Sequence, residues 1–124
     1  MNKTFFGIDY GETVGFSVVD SNGFVYLLGS NTDSQVCIEQ LELALKYYAE
    51  LSVVIEKQVG VKTERFTNFI EKVTLLCKLN QAQLLEIYPH VWKNSFVNRT
   101  KVNPTNHAKD SAKIALYGIY KSNQ

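Results

Sequence analysis

The sequence predicts an α/β sandwich built around one mixed sheet. Three observations carry that reading. Three short strand-like runs joined by turn signals fill the first thirty residues. Strand-like and helix-like segments then alternate to the end. The run Leu51-Ser52-Val53-Val54-Ile55 is apolar and β-branched nearly throughout, as suits a strand covered on both faces. With 124 residues, 45% of them hydrophobic, the chain suffices for one domain with a real core, and residues 1–124 are read as a single unit.

The elements follow in order. Residues 3–9 are short and apolar and end at Asp9-Tyr10-Gly11. Residues 13–20 are β-branched and aromatic, Ser21-Asn22-Gly23 is a turn signal, and a third strand runs over 23–30. Two such runs around an Asn-Gly predict an antiparallel hairpin. Asn31-Thr32-Asp33-Ser34 offers N-cap residues, and Val36, Ile38, Leu41, Leu45 and Tyr48 recur at helical spacing, so a helix is expected over 34–49. Residues 51–56 form the fourth strand. Phe66, Phe69, Ile70, Val73, Leu76 and Cys77 fall on one helical stripe within 62–80. A fifth strand spans 84–88, stopped by Pro89. Residues 89–105 are polar, basic and irregular. Thr105 or Asn106 can cap a last helix over 106–121, with Ala108, Ala112, Ala115, Leu116 and Ile119 as its apolar side. The order is βββ-α-β-α-β-α.

Several classes are excluded. No apolar run approaches the roughly 20 residues of a membrane span. The first residues lack the long apolar stretch of a secretion signal, so a cytoplasmic location is expected. Cys37 and Cys77 form neither a Cys-x-x-Cys nor a Cys/His cluster and read as buried thiols. The net charge is only +1, but its distribution is uneven. Eight of the 12 acids precede residue 57, and all but two of the 13 Lys and Arg follow residue 56. A basic second half can face phosphates even when the total is near zero.

Three acids stand out by position. Asp9 ends the first strand, Glu56 ends the fourth, and Asp110 lies on the first turns of the last helix. An acid that ends a buried strand is costly unless something neutralises it. If the first and fourth strands are neighbours, Asp9 and Glu56 emerge side by side and repel. A divalent cation removes that repulsion, and hard oxygen ligands suit Mg²⁺ or Mn²⁺. Three carboxylates drawn from distant points of a chain are what two-metal phosphodiester hydrolysis needs, with the ions roughly 3.5–4 Å apart. No organic cofactor is called for.

Gly7-Ile8-Asp9-Tyr10-Gly11 followed by Gly15 resembles the first motif of the RuvC-type Holliday junction resolvases, members of the RNase H-like superfamily. Val53-Val54-Ile55-Glu56 resembles their second acidic strand. Tyr88-Pro89-His90-Val91-Trp92-Lys93 is similar to the segment after their last strand, and His107 to Leu116 to their terminal acidic helix. The resemblance covers nearly the whole chain in order. It implies an RNase H-like fold with a five-stranded sheet, three antiparallel strands followed by parallel ones. It also implies a metal-dependent endodeoxyribonuclease that cuts four-way junctions by paired nicks, as a homodimer, leaving 5′-phosphate and 3′-hydroxyl ends. Asp9, Glu56 and Asp110 would hold the ions. His107 stands three residues before Asp110, hence on the same helical face, and would be a further ligand or a group that handles the proton of the attacking water. The chain departs from the family in having one residue fewer between Gly11 and Gly15, in Lys113 where an apolar residue is common, and in its shorter length.

Lys57, Lys62 and Arg65 follow Glu56, and Lys93, Arg99, Lys101 and Lys109 surround the irregular segment. Together they form the expected phosphate-gripping set. Phe66, Phe69 and Trp92 are candidates for stacking on bases, although Phe69 fits the core better. Two other readings share the fold, an RNA-processing nuclease like the YqgF family and a non-catalytic nucleic-acid-binding module. Asp9-Tyr10-Gly11 also compares with the phosphate loop of actin-like and sugar-kinase ATPases, but one lobe of this size cannot supply their two-lobed cleft.

Overall fold

A computed structural model describes residues 3–58, 60, 62–88 and 107–122. β1 (Thr4–Asp9) pairs antiparallel with β2 (Val14–Asp20), from Thr4 opposite Asp20 to Asp9 opposite Gly15. β3 (Val25–Asn31) continues the antiparallel run, with a register shift between Val18 and Val19. It starts two residues later than the sequence suggests, because the connection is longer than an Asn-Gly pair. Asp20 N–H donates to Phe24 O at 2.9 Å, Gly23 N–H donates to Asp20 O at 2.9 Å, and Gly23 has φ +85°. That is a three-residue loop closed by a glycine in the left-handed region. The Asp20 carboxylate locks it, accepting from the N–H groups of Asn22 and Phe24 and from the Tyr26 hydroxyl. The backbone N–H of Phe24, ahead of the other donors, holds the Asp20 carboxyl below its usual value of 3.8.

α1 (Ser34–Tyr47) is N-capped by Asp33, whose side chain accepts from Gln35 N–H at 2.9 Å. It ends two residues before the expected 49, where Tyr48 turns extended and donates its N–H to Ala44 O. β4 (Leu51–Glu56) runs parallel to β1, with Thr4 opposite Leu51 and Ile8 opposite Ile55. α2 (Glu64–Leu79) is capped by Thr63, which accepts from Phe66 N–H at 3.1 Å. β5 (Gln83–Ile87) runs parallel to β4, and α3 (His107–Ser122) follows. The sheet order is β3-β2-β1-β4-β5, so the expected mixed five-stranded sheet flanked by helices is the fold. Thr105 and Asn106, expected as caps, lie outside the described residues.

The alternation of strand side chains divides the core into two layers. Phe6 and Ile8, Val14, Phe16 and Val18, and Val53 and Ile55 face α1 and α2, where Ile38, Leu41, Phe66, Phe69 and Val73 meet them. Phe5, Val19, Val54 and Ile87 face α3 and meet Ile114, Ala115, Tyr117 and Ile119. Phe66 and Phe69 are therefore core residues. Cys37 and Cys77 are buried and free, and burial pushes their thiols up to about 12 and about 11, so both are inert toward metals and oxidants at neutral pH. Among the described residues no helix is long and apolar enough to cross a membrane.

The C-terminus of α2 carries one local strain. Gln81 has φ 55°, while Ala82 N–H donates to Cys77 O at 2.8 Å and Gln81 N–H to Lys78 O at 3.3 Å. This is a Schellman closure with glutamine in the place that glycine usually takes. The left-handed conformation costs an L-residue roughly 1–2 kcal/mol, and the extra freedom of glycine in the unfolded chain costs about 0.4–1 kcal/mol. Gln81→Gly is therefore expected to stabilise the protein by about 0.5–1 kcal/mol. Urea denaturation checks this, through a higher midpoint at unchanged slope.

Candidate active site

The period of two that sorts the core also aims the acids. Asp9 shares its face of β1 with Phe5 and Gly7, and Glu56 shares its face of β4 with Val54, so both carboxylates belong to the side covered by α3. β1 and β4 are parallel neighbours in register, Ile8 opposite Ile55. The next residue of each, Asp9 and Glu56, therefore leaves the carboxyl edge of the sheet beside the other, with backbones about 4.8 Å apart. Here the strand order reverses direction, β2 lying on one side of β1 and β4 on the other. Open α/β sheets place their ligand sites at such a point.

α3 brings the remaining two residues. Its sheet-facing stripe is Ser111, Ile114, Ala115, Gly118 and Ile119, all buried, and His107 extends that stripe by one turn toward the carboxyl edge. His107 Nδ1 lies 2.9 Å from Asp9 Oδ2, joining residues 98 positions apart. The Asp9 side chain is 14% exposed and that of His107 37% exposed, so the pair is partly accessible rather than sealed in the core. Asp110 is partly buried one turn along the same helix.

Glycines make this approach possible. A Cβ on Gly15 would collide with the carbonyl of His107 and stand 2.9 Å from Ala108 N. A Cβ on Gly7 would collide with Ser111 O and stand 2.9 Å from the Ala115 Cβ. Farther along, Gly118 lies against the Val54 side chain, where a Cβ would be 2.5 Å from Cγ2. Helix backbone thus rests on strand backbone at the point where Asp9 and His107 meet. The sequence motif showed Gly7 and Gly15 without showing what they touch. The small residues Ser111, Ala115 and Gly118, at helical spacing on the face that α3 turns to the sheet, are the available signal.

Among the described residues, no three His, Cys, Asp or Glu side chains stand close enough together to enclose a metal ion as they are. The structure brings Asp9 and His107 into contact and sets Glu56 and Asp110 on the adjoining strand end and helical turn.

The basic residues divide. Lys57 donates its backbone N–H to Ile87 O at 2.7 Å, and its Nζ lies 3.4 Å from the Tyr88 hydroxyl and 5.0 Å from that ring's centre. Lys62 and Lys109 are exposed. Arg65 is exposed too, but its Nη2 donates to Thr32 O at 2.9 Å and its guanidinium lies 5.8 Å from the centre of the Tyr10 ring. A cavity of about 290 Å³ opens beside Tyr10, lined by Gln58, Lys62, Thr63, Arg65 and Phe66. Lys93, Arg99, Lys101 and Trp92 lie outside the described residues.

No family model matches the chain, and no curated protein sequence matches it. Solved structures do. RuvC of T. thermophilus in complex with a Holliday junction substrate is similar with a TM-score of 0.69 at 13% identity, over 97% of this chain and 96% of that one. A second Thermus thermophilus RuvC structure is similar with a TM-score of 0.59 at 14% identity over the same shares. At such identities the likeness shows the fold, and it extends over essentially the full length of both chains.

The glycines can be tested against each other. A Cβ on Gly11 would meet only Thr13 O at an ordinary 3.5 Å, whereas one on Gly15 meets helix backbone that cannot rotate away. Gly15→Ala should destabilise by about 1–3 kcal/mol, as overpacking does, while Gly11→Ala should stay within about 0.5 kcal/mol of wild type. Parallel denaturation curves decide. Equal effects of the two substitutions would mean that α3 does not rest on β2 as described.

Proposed function

We propose that the chain is a metal-dependent, structure-selective endonuclease whose substrate is branched DNA, above all the four-way junction. The observation that carries the proposal is the meeting of Asp9 and His107 at 2.9 Å, at the strand edge that Glu56 shares and one helical turn from Asp110. In this reading four donors of suitable chemistry, carried by three separate elements, would close on a cation there. Three are hard carboxylate oxygens and one an imidazole, a set that fits Mg²⁺ or Mn²⁺. The full-length fold likeness to a RuvC solved on a Holliday junction supports the substrate class.

In this reading Asp9, Glu56 and Asp110 hold the cations, two in each site, and His107 completes the set. The bound ions supply a water activated at neutral pH and charge stabilisation for the leaving oxygen. The residues of the chain do the rest. Asp9 and Glu56 are presented by a rigid parallel pair of strands, so their spacing is set before substrate arrives. His107 is held by the close seat of α3 on Gly15 and aims its ring at the same point. Lys57, Lys62 and Lys109, with Lys93, Arg99 and Lys101 from the segment before α3, contact phosphates on either side of the cut. A four-way junction presents strands in two-fold related pairs, so paired nicking calls for two copies of the chain acting as a homodimer.

The test is cleavage of labelled four-way junction, duplex, single-stranded DNA and structured RNA, with and without Mg²⁺ or Mn²⁺. Junction DNA should be cut preferentially and only with metal. Asp9→Asn keeps the shape of the side chain and removes the charge, so cleavage should fall by about 10³-fold or more, with junction affinity changed by less than about threefold because the grip comes from Lys and Arg. Cleavage by Asp9→Asn near the wild-type rate removes Asp9 from the mechanism. Cutting of RNA in preference to junctions would make this an RNA-processing enzyme instead.

A further inference from the structure

Arg65 reads in the sequence as one of a run of phosphate contacts after Glu56, yet its partners in the fold lie inside the chain. Its Nη2 donates to Thr32 O at 2.9 Å, in the turn between β3 and α1. Its guanidinium covers the face of Tyr10 at 5.8 Å from the ring centre. Tyr10 also packs against Phe66 and Phe69, with centroids at 5.0 and 4.8 Å. Phe66 N–H is in turn bound by the Thr63 cap at the start of α2. The ring is therefore boxed by two core aromatics and one cation, which ties together the end of β1, the start of α2 and the end of β3. Tyr10 immediately follows Asp9, and the two side chains leave opposite faces of the chain. Immobilising one fixes the direction of the other.

We propose that Arg65 and Tyr10 are positioning residues that clamp the carboxyl end of β1 and so aim Asp9, rather than groups that touch DNA. The inference rests on the proposed nuclease function for what Asp9 does, but not for the clamp itself. The Tyr10 hydroxyl is buried and, among the described residues, without a hydrogen-bond partner, so the ring and not the hydroxyl carries the role. A guanidinium that stacks on an aromatic face while donating to a carbonyl uses geometry that lysine lacks.

The clamp is tested with the full chain by comparing Arg65→Ala, Tyr10→Leu, Tyr10→Phe and Lys62→Ala. Three readouts are used: amide hydrogen exchange at Asp9, Tyr10 and Gly11, the dependence of junction affinity on salt in EDTA, and the single-turnover cleavage rate at saturating protein with Mn²⁺. Arg65→Ala and Tyr10→Leu should raise exchange at the end of β1 by about tenfold, leave exchange at Phe6 and Val53 unchanged, and slow the saturated rate by about tenfold or more, as misplacement of a reacting group does. Their salt slopes should match wild type, while Lys62→Ala lowers its slope by about 1. Tyr10→Phe should match wild type throughout, which keeps the comparison informative if Arg65→Ala folds poorly. The proposal is overturned if Arg65→Ala lowers the salt slope by about 1 with exchange and saturated rate unchanged, since that marks a phosphate contact. It is equally overturned if Tyr10→Phe behaves like Tyr10→Leu. A wild-type protein that cuts none of the DNA substrates defeats the nuclease reading, and the exchange measurements still decide the clamp.

Discussion

The contact between the backbone of α3 and the backbones of β1 and β2 is the constraint on which the rest depends. Helix and sheet ordinarily stand apart by the length of their side chains. Here Gly7 and Gly15 remove the side chains from the strands at two alternate positions, and Ser111, Ala115 and Gly118 keep the helix face small. The helix sinks until its carbonyls at His107 and Ser111 lie where strand Cβ atoms would otherwise be. Register follows from this. With the α3 backbone seated over both glycines, His107 at the start of the helix meets Asp9. Packing and site assembly are thus one event.

The two faces of the sheet differ in a way that makes room for charge. Toward α1 and α2 the apolar residues run to the carboxyl edge, ending in Ile8, Val14 and Ile55. Toward α3 they stop short, and the sequence of that face along β1 is Phe5, Gly7, Asp9. On β2 it is Val19, Ser17, Gly15, read in the same direction. Ser17 is wholly buried there, and its hydroxyl has no partner among the described residues. Such a gradient from apolar to polar lets carboxylates sit close together in a partly dry setting, where electrostatic attraction to a cation is stronger than in water. It also leaves repulsion between Asp9 and Glu56 as the term an ion would relieve.

Much of this was legible in the sequence because it depends on period and order. The short apolar run of 3–9, the β-branched and aromatic run of 13–20, the β-branched run before Glu56 and the helical stripe of Phe66, Phe69 and Val73 all report burial, and burial is local information. The strand-end placement of Asp9 and Glu56 follows from the same patterns, and the parallel pairing of β1 with β4 sets the two side by side. The pairing of His107 with Asp9 was less accessible, since nothing local relates residues 98 positions apart. The apolar spacing gave the helix, resemblance alone singled out His107 on it, and the glycine contacts supply the physical reason for the pairing. Arg65 shows the converse. It follows Lys57 and Lys62 in a basic stretch of the sequence, and only the folded chain reveals Thr32 O and the Tyr10 ring as its partners. The late start of β3 had a local cause, the Asp20 carboxylate binding the loop N–H groups, but a side chain that competes with strand pairing leaves no periodic trace.

The central claim is that Asp9, Glu56, His107 and Asp110 form one cation site assembled by the seat of α3 on the sheet. Paramagnetic broadening by Mn²⁺ of the amide NMR spectrum measures this without substrate. Substoichiometric Mn²⁺ should broaden first the signals of these four residues and their immediate neighbours, with the same residues recovering together on addition of Mg²⁺. Broadening centred elsewhere, on the acidic outer face of α1 at Glu39 and Glu42 for instance, or no selective broadening at all, would contradict the account.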